Sequence, residues 1–329
     1  MKRVIYLYKS GTLQRQDASL ILKQKNDKVD YILVEQVDTI ICFGEVDLNK
    51  RTLSLLNSYQ ITILFFDYYG NYIGRFTPKH YFDGKLLVKQ VEVFKNEDQR
   101  LLIAKSMINA SFDNCLSLLK YYRKKGFDLT YFIANMELLE MQLKSIIDIG
   151  DILLLEAHFK KLYYSCFDII LSKEHYRFEK RTKHPPENEL NALMSYGYAL
   201  LYANYLSVLD RSRLHSQISF IHSLSKSSDS LQFDLADILK PVIVDRLILR
   251  LCRLHQLKDT YFEYKENRCY LNKEGVKFFV NEYETYMKRT VRINNRYYSY
   301  RNLISREVHL LSNYISGNSN EYKPFVMKW

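Results

Sequence analysis

Glycine and proline are scarce in this chain, with ten and five among 329 residues. Few special turns can be built from them, which favours long helices over loop-rich folds. Neither Gly-x-Gly-x-x-Gly nor Gly-x-x-x-x-Gly-Lys-Ser/Thr occurs, so the two common backbone cradles for nucleotide phosphates are excluded. A Gly-x-Ser-x-Gly elbow is missing as well. The five cysteines, at 42, 115, 166, 252 and 269, include no Cys-x-x-Cys pair and are odd in number. They make neither a disulfide framework nor a zinc site, and they fit a reducing cytoplasm. No run of about 18 apolar residues is present, so no membrane span is expected. The opening MKRVIYLYKSGTLQRQ lacks the apolar stretch of a signal peptide. Acidic residues are also in deficit, 37 against 48 Lys and Arg, for a net charge of +11. That surplus favours a polyanionic partner such as nucleic acid or an anionic membrane.

What is present changes character along the chain. RVIYLYK, SLILKQ, YILVEQ, TIICFG, ITILFFD and NYIGRFT are short runs rich in Ile, Val, Tyr and Phe, separated by turn signals such as Ser10-Gly11 and Asn26-Asp27. One helix, LNKRTLSLLNSYQ, interrupts them. From about Leu86 the apolar spacing becomes helical, as in DQRLLIAKSMINASFDNCLSLLKYYRKK. The natural split falls at Asp83-Gly84. The reading is an α+β protein: a small β domain over 1–84 and a larger all-α domain over 85–329. The helical part breaks at KRTKHPPENE, at SLSKSSDS and near YKENRCYLNKEG, where a small hairpin fits.

One stretch, FIHSLSKSSDSLQFDLADILKP, sets a histidine and two aspartates three apart in apolar surroundings. Asp234 and Asp237 leave a helix on the same side, beside the stripe of Leu231, Leu235 and Ile238. Two carboxylates so placed repel unless a cation sits between them or one is protonated. Oxygen ligands plus one imidazole, from His222, suit Mn²⁺ or Mg²⁺ better than structural zinc. A further acid would come from elsewhere, and Glu156 lies beside the core stripe of a long helix. Each also has a plainer role: the aspartates as helix-surface groups, His222 as a satisfied histidine, Glu156 paired with Lys160 at i+4.

Taken together, LLLEAHFKKLYY, FEKRTKHPPENELNALMSYGYALLY, ISFIH and SLQFDLADILKPVIVDRLILRL resemble the CRISPR-associated integrase/endonuclease, the catalytic subunit of spacer acquisition. The opening LYKSGTLQRQDASL and the tail YYSYRNLISREVHLL fit too, and the forms are closest to subtype I-B members. The resemblance implies a divalent ion held by Glu156, His222 and Asp237, with Asp234 a further catalytic residue. It implies an N-terminal β domain that helps form a homodimer. The implied reaction is transesterification, in which a DNA fragment's 3′-hydroxyl attacks a strand at a CRISPR repeat. Double-stranded DNA, a small ferredoxin-like second adaptation subunit and an end-trimming nuclease are the implied partners, with no membrane. For a DNA track the basic candidates are Arg181, where the family signature carries a cation, with Lys183, Lys226, Arg289 and Arg292.

Overall fold

The β-branched and aromatic runs of the first eighty positions form two four-stranded sheets. The computed structural model describes residues 3–67, 70–79, 83–172, 174–183, 185–224, 229–266 and 268–329. Its contacts divide into two units, residues 1–82 and 83–329. In the first unit β1 (Arg3–Leu7), β2 (Gly11–Gln16), β3 (Ser19–Lys23), β4 (Val29–Ile32), β5 (Val37–Cys42) and β6 (Val46–Leu48) precede helix α1 (Lys50–Tyr59). Strands β7 (Thr62–Phe66) and β8 (Tyr72–Phe76) follow it. One sheet has the order β1-β5-β7-β8, and the other β4-β3-β2-β6. Inner strand β5 pairs parallel with both neighbours and is buried at Val37, Thr39, Ile40, Ile41 and Cys42, as a parallel strand covered on both faces requires. Leu13, Leu20 and Leu22 from one sheet, Ile40 and Ile63 from the other, and Leu55 and Leu56 from α1 close a single core. The side chain of Asn49 caps α1 by accepting the Thr52 N–H at 3.0 Å. The Thr52 hydroxyl donates to the Leu13 carbonyl at 3.1 Å and ties the helix to β2.

The second unit is mainly helical: α2 (Gly84–Lys95), α3 (Glu97–Arg123), α4 (Thr130–Gln142), α5 (Ile149–Ile170), α6 (Glu189–Ser212), α7 (Leu231–Lys240) and α8 (Arg246–Arg253). The hairpin near YKENRCYLNKEG is β9 (Phe262–Lys265) with β10 (Arg268–Leu271). Helix α9 (Lys273–Met287) leads to a second hairpin, β11 (Thr290–Ile293) with β12 (Arg296–Ser299), and then to α10 (Tyr300–Ser316). Pro241 does not end the helical path. Residues Pro241–Asp245 make a π-helical turn in which the Arg246 N–H reaches back to the Pro241 carbonyl. Proline has no N–H and crowds the preceding turn, and a wider turn with one extra residue relieves both problems.

The last residues are stitched to the helices. The Asn114 amide on α3 donates to Ile238 O at 2.7 Å and to Phe325 O at 2.9 Å, and its oxygen accepts the Met327 N–H at 2.7 Å. Glu307 accepts the Phe325 N–H at 3.1 Å. The Arg246 guanidinium lies between the rings of Tyr121 and Trp329, 4.6 and 4.5 Å from their centroids. Among the described residues, no helix is long and apolar enough to cross a membrane.

Candidate active site

Asp234, in the first turn of α7, is fully buried, and its carboxylate is committed. One oxygen accepts the N–H groups of Phe220 and Ile221, at 2.6 and 3.0 Å. The other accepts the His222 N–H at 3.1 Å and faces the His222 Nδ1 at 2.7 Å. Beside a carboxylate Nδ1 carries the proton, so Nε2 is the nitrogen open to a ligand. The loop before His222 is held from α2 and α3: Gln90 bonds His215 and Ile218, and the Arg100 guanidinium donates to Phe220 O at 3.0 Å. Ser219, buried, donates its hydroxyl to His222 O at 2.8 Å. The start of α7 carries no side-chain cap: Ser230 donates instead to Gln217 O at 3.1 Å.

Asp237 lies one turn beyond Asp234, equally buried but differently used. Its carboxylate bonds the ammonium of Lys240, which rests over the rings of Tyr198 and Tyr202 at 5.0 Å from each centroid. Glu156 on α5 interacts electrostatically with both Asp237 and His222. It does not pair with Lys160 in the manner of a surface helix: the Lys160 ammonium donates to Ser111 Oγ at 3.0 Å. Burial, and then the charge of Asp237, pushes the Glu156 carboxyl above its ordinary value. Burial works the same way on Asp237, but Lys240, Lys160 and His222 overcome it and hold that carboxyl low. For His222 burial favours the neutral ring, yet the Asp234 hydrogen bond and the charges of Asp234, Asp237 and Glu156 raise it overall.

The basic candidates separate by position. Lys183 sits close enough to the acids to sense them. Its pKa is lowered by burial and by the like charges of Lys240 and Arg181, against the pull of Asp237 and Glu156. Arg181 turns inward: its guanidinium donates to Asn191 Oδ1 at 2.9 Å, to Ser195 Oγ at 3.1 Å and to the Thr182 carbonyl, and it lies 5.7 Å from the Tyr198 ring centre. It contributes charge more than an outward fork. Arg289 and Arg292 are exposed at the β11–β12 hairpin, where Arg292 donates to Asn295 at 2.9 Å. Lys226 lies outside the described residues.

The donor set suits a hard divalent cation: two carboxylates of opposite pKa displacement and an imidazole nitrogen left open by its partner's grip. Among the described residues no three such groups stand close enough to hold an ion as they are. The Lys240 ammonium takes the cationic place on Asp237. Sequence reading overlooked Lys240, although it stands three residues after Asp237, at the spacing that keeps both on one helix face.

The chain is similar to known proteins along nearly its whole length. The family described as CRISPR associated protein Cas1 matches residues 5–285. A CRISPR-associated endonuclease Cas1 of Thermotoga maritima is 36% identical over 316 residues, covering 95% of this chain and 97% of the relative. A second such protein, from Thermodesulfovibrio yellowstonii, is 33% identical over 332 residues and matches both chains over 100% of their length. The solved structure of a Thermotoga maritima Cas1 protein superposes with a TM-score of 0.85 at 35% identity, covering 96% of this chain and 97% of that one. A casposase bound to integration product shares the fold, with a TM-score of 0.88 at 21% identity over 98% and 93% of the two chains.

Proposed function

Because the chain belongs to the CRISPR-associated Cas1 family, we propose that it is a DNA endonuclease and integrase that joins short fragments to a CRISPR repeat. In this reading the 3′-oxygen of a fragment attacks a backbone phosphorus, a new P–O bond forms, and the repeat strand's own P–O bond breaks. No phosphodiester energy is lost, so the step requires placement and charge neutralisation more than a protein nucleophile. The observation that carries the proposal is the mutual electrostatic coupling of Glu156, Asp237 and the Asp234-held His222. These three would hold Mn²⁺ or Mg²⁺, which when bound supplies Lewis-acid polarisation of the phosphate.

The chain's own groups do the rest. Asp234 fixes the ring and tautomer of His222. Lys240, Lys183 and Arg181 lay positive charge beside the acids, where a phosphodiester must enter. The β11–β12 hairpin offers a second contact for the duplex. Its register sets Arg292 opposite Tyr297, both exposed, with Arg296 at the tip and Arg289 at the base. The whole span from Lys288 to Arg306 has cations and no acid.

Partners follow the same reading. Relatives of this fold have been solved with an integration product and, as part of a Cas6-RT-Cas1 protein, in complex with Cas2. We extend to this chain double-stranded DNA, a homodimer built through the β domain, a small ferredoxin-like second subunit and an end-trimming nuclease.

The test is a joining assay with fragments bearing 3′-hydroxyl or blocked 3′ ends. Joined product should appear only with the hydroxyl and vanish in excess chelator. Cleavage that ignores the state of the fragment end, with no joined product, would make this a general nuclease instead.

A further inference from the structure

Beneath the site lies a buried carboxylate that the proposed chemistry does not use. Asp245, 1% exposed, closes the π-helical turn after α7. The Tyr163 hydroxyl on α5 donates to one of its oxygens at 2.8 Å, and the Tyr198 hydroxyl on α6 donates to the other at 2.5 Å. The Tyr164 hydroxyl stands 3.2 Å from that of Tyr198 and extends the network.

The spacing of these groups matches the spacing of the acids. On α5, Glu156 and Tyr163 are seven residues apart, two turns along one face. On the other path, Asp237 and Asp245 are eight apart. An ordinary helix would leave Asp245 about 80° round from Asp237, but the π turn absorbs one extra residue and brings it more nearly into line. Two rungs result: Glu156 with Asp237 above, Tyr163 with Asp245 below. Gly197 makes the third contact possible. A Cβ there would lie 2.6 Å from Val244 Cγ1, so only glycine lets α6 approach the π turn closely enough for Tyr198 to reach Asp245. Mid-helix glycine costs ~1 kcal/mol relative to alanine, and this contact is a reason to retain it. The Tyr198 ring, gripped through its hydroxyl, is in turn the floor beneath Lys240 and Arg181.

We propose that Asp245 is a positioning residue: through Tyr163 and Tyr198 it sets the separation of Glu156 from Asp237 and the height of the Lys240 and Arg181 charges. The inference rests on the ion-binding reading above. It requires that removing one buried hydroxyl, without touching any acid or cation of the site, weakens the hold on the ion.

The experiment titrates Mn²⁺ into the full chain and follows the free-ion signal by electron paramagnetic resonance, alongside kcat and KM for joining. Asp245→Asn, Tyr198→Phe and Tyr163→Phe should each weaken Mn²⁺ binding, by about tenfold for Asp245→Asn, and lower kcat while the KM for DNA holds. Tyr205→Phe is the control. Tyr205 lies on the same helix as Tyr198, buried, with a hydroxyl that has no partner among the described residues, and its loss should leave both readouts unchanged. The two Tyr→Phe variants carry the test if Asp245→Asn does not fold. Wild-type Mn²⁺ affinity and kcat in folded Tyr198→Phe and Tyr163→Phe, with only the melting temperature lowered, would overturn the proposal. If Glu156→Ala loses Mn²⁺ while these variants bind normally, the clamp alone fails. If the wild type shows no saturable binding, the ion-binding reading fails and the clamp with it.

Discussion

Residues 3–79 and residues 83–329 solve the burial problem in opposite ways. Among the described residues of the first unit, the buried polar side chains are the hydroxyls of Thr39, Thr52 and Thr62, set in a core of leucine, isoleucine and valine. The second unit buries Asp234, Asp237, Asp245 and Glu307, with Asn114, Asn191, Asn204 and Gln90 around them. Buried carboxylates are expensive unless every oxygen finds a donor. The first unit avoids that cost altogether. The second accepts it and surrounds each acid with donors: backbone N–H groups for Asp234, an ammonium for Asp237, phenols for Asp245, Arg306 and the Phe325 N–H for Glu307. The two units thus bury their polar groups by different means.

Six substitutions would break or sharpen this contrast. The largest effect belongs to the acids and imidazole of the proposed ion site. Glu156→Ala, His222→Ala and Asp237→Ala should each lower strand transfer on the order of a thousandfold, equivalent to about 4 kcal/mol of transition-state stabilisation. Circular dichroism and gel joining assays check that the fold survives while the product disappears. A folded Glu156→Ala protein that integrates normally would remove the contrast at its centre.

Next comes the first unit's core. Leu13→Ala, at a side chain with no exposure, should cost about 2–5 kcal/mol in denaturant melts. Mn²⁺ affinity, which the proposed site confines to the second unit, should not change.

Glu307 tests the price of a buried acid directly. Burial pushes its carboxyl up to about 7 despite Arg306 and the Phe325 N–H. The folded state therefore binds the proton more tightly than the unfolded chain. Its contribution is fully present at low pH and is lost as pH rises from roughly the unfolded carboxylate value, ~4.3, to about 7. Glu307→Gln should flatten that part of the stability profile, relieving at most about 4 kcal/mol at pH 8. Thermal melts of both proteins from pH 4 to pH 8 measure the difference, and parallel profiles would contradict it.

The smallest effect is at the surface. Arg292→Ala should weaken duplex binding by ~1 kcal/mol and reduce the salt slope by about one, as loss of a single phosphate contact does. Fluorescence anisotropy across a salt series reads both.

How much of this was legible in the sequence depends on whether the cause is local. The runs that became β1, β3, β5, β7 and β8 carry their own apolar patterns. Strands β2 and β6 do not: GTLQRQ buries only Leu13 and VDL buries nothing. Backbone pairing holds them instead, β2 in a tight hairpin with β3 and β6 alongside β2 from a distant part of the chain. The β11–β12 hairpin had a readable turn, Asn294-Asn295 with both φ positive, the signature of a tight hairpin bend. Its arginines drew the reading toward charge instead.

In the site, His222, Asp234 and Asp237 share one short stretch and could be suspected from it. Glu156 could not, since nothing nearby sets it apart from a surface helix glutamate, and only resemblance pointed there. Asp245 was invisible. A single acid in VIVDRLIL gives no sign that two tyrosines from separate helices will meet it, or that a proline will widen the turn to aim it.

The amide of Asn114 bonds at once to the helix bearing Asp237 and to Phe325 and Met327. During synthesis, that helix therefore waits for partners 211 and 213 residues downstream of Asn114 before its last hydrogen bonds can close. A nascent chain halted before residue 325 would display every acid and imidazole of the site yet lack the seam beneath them.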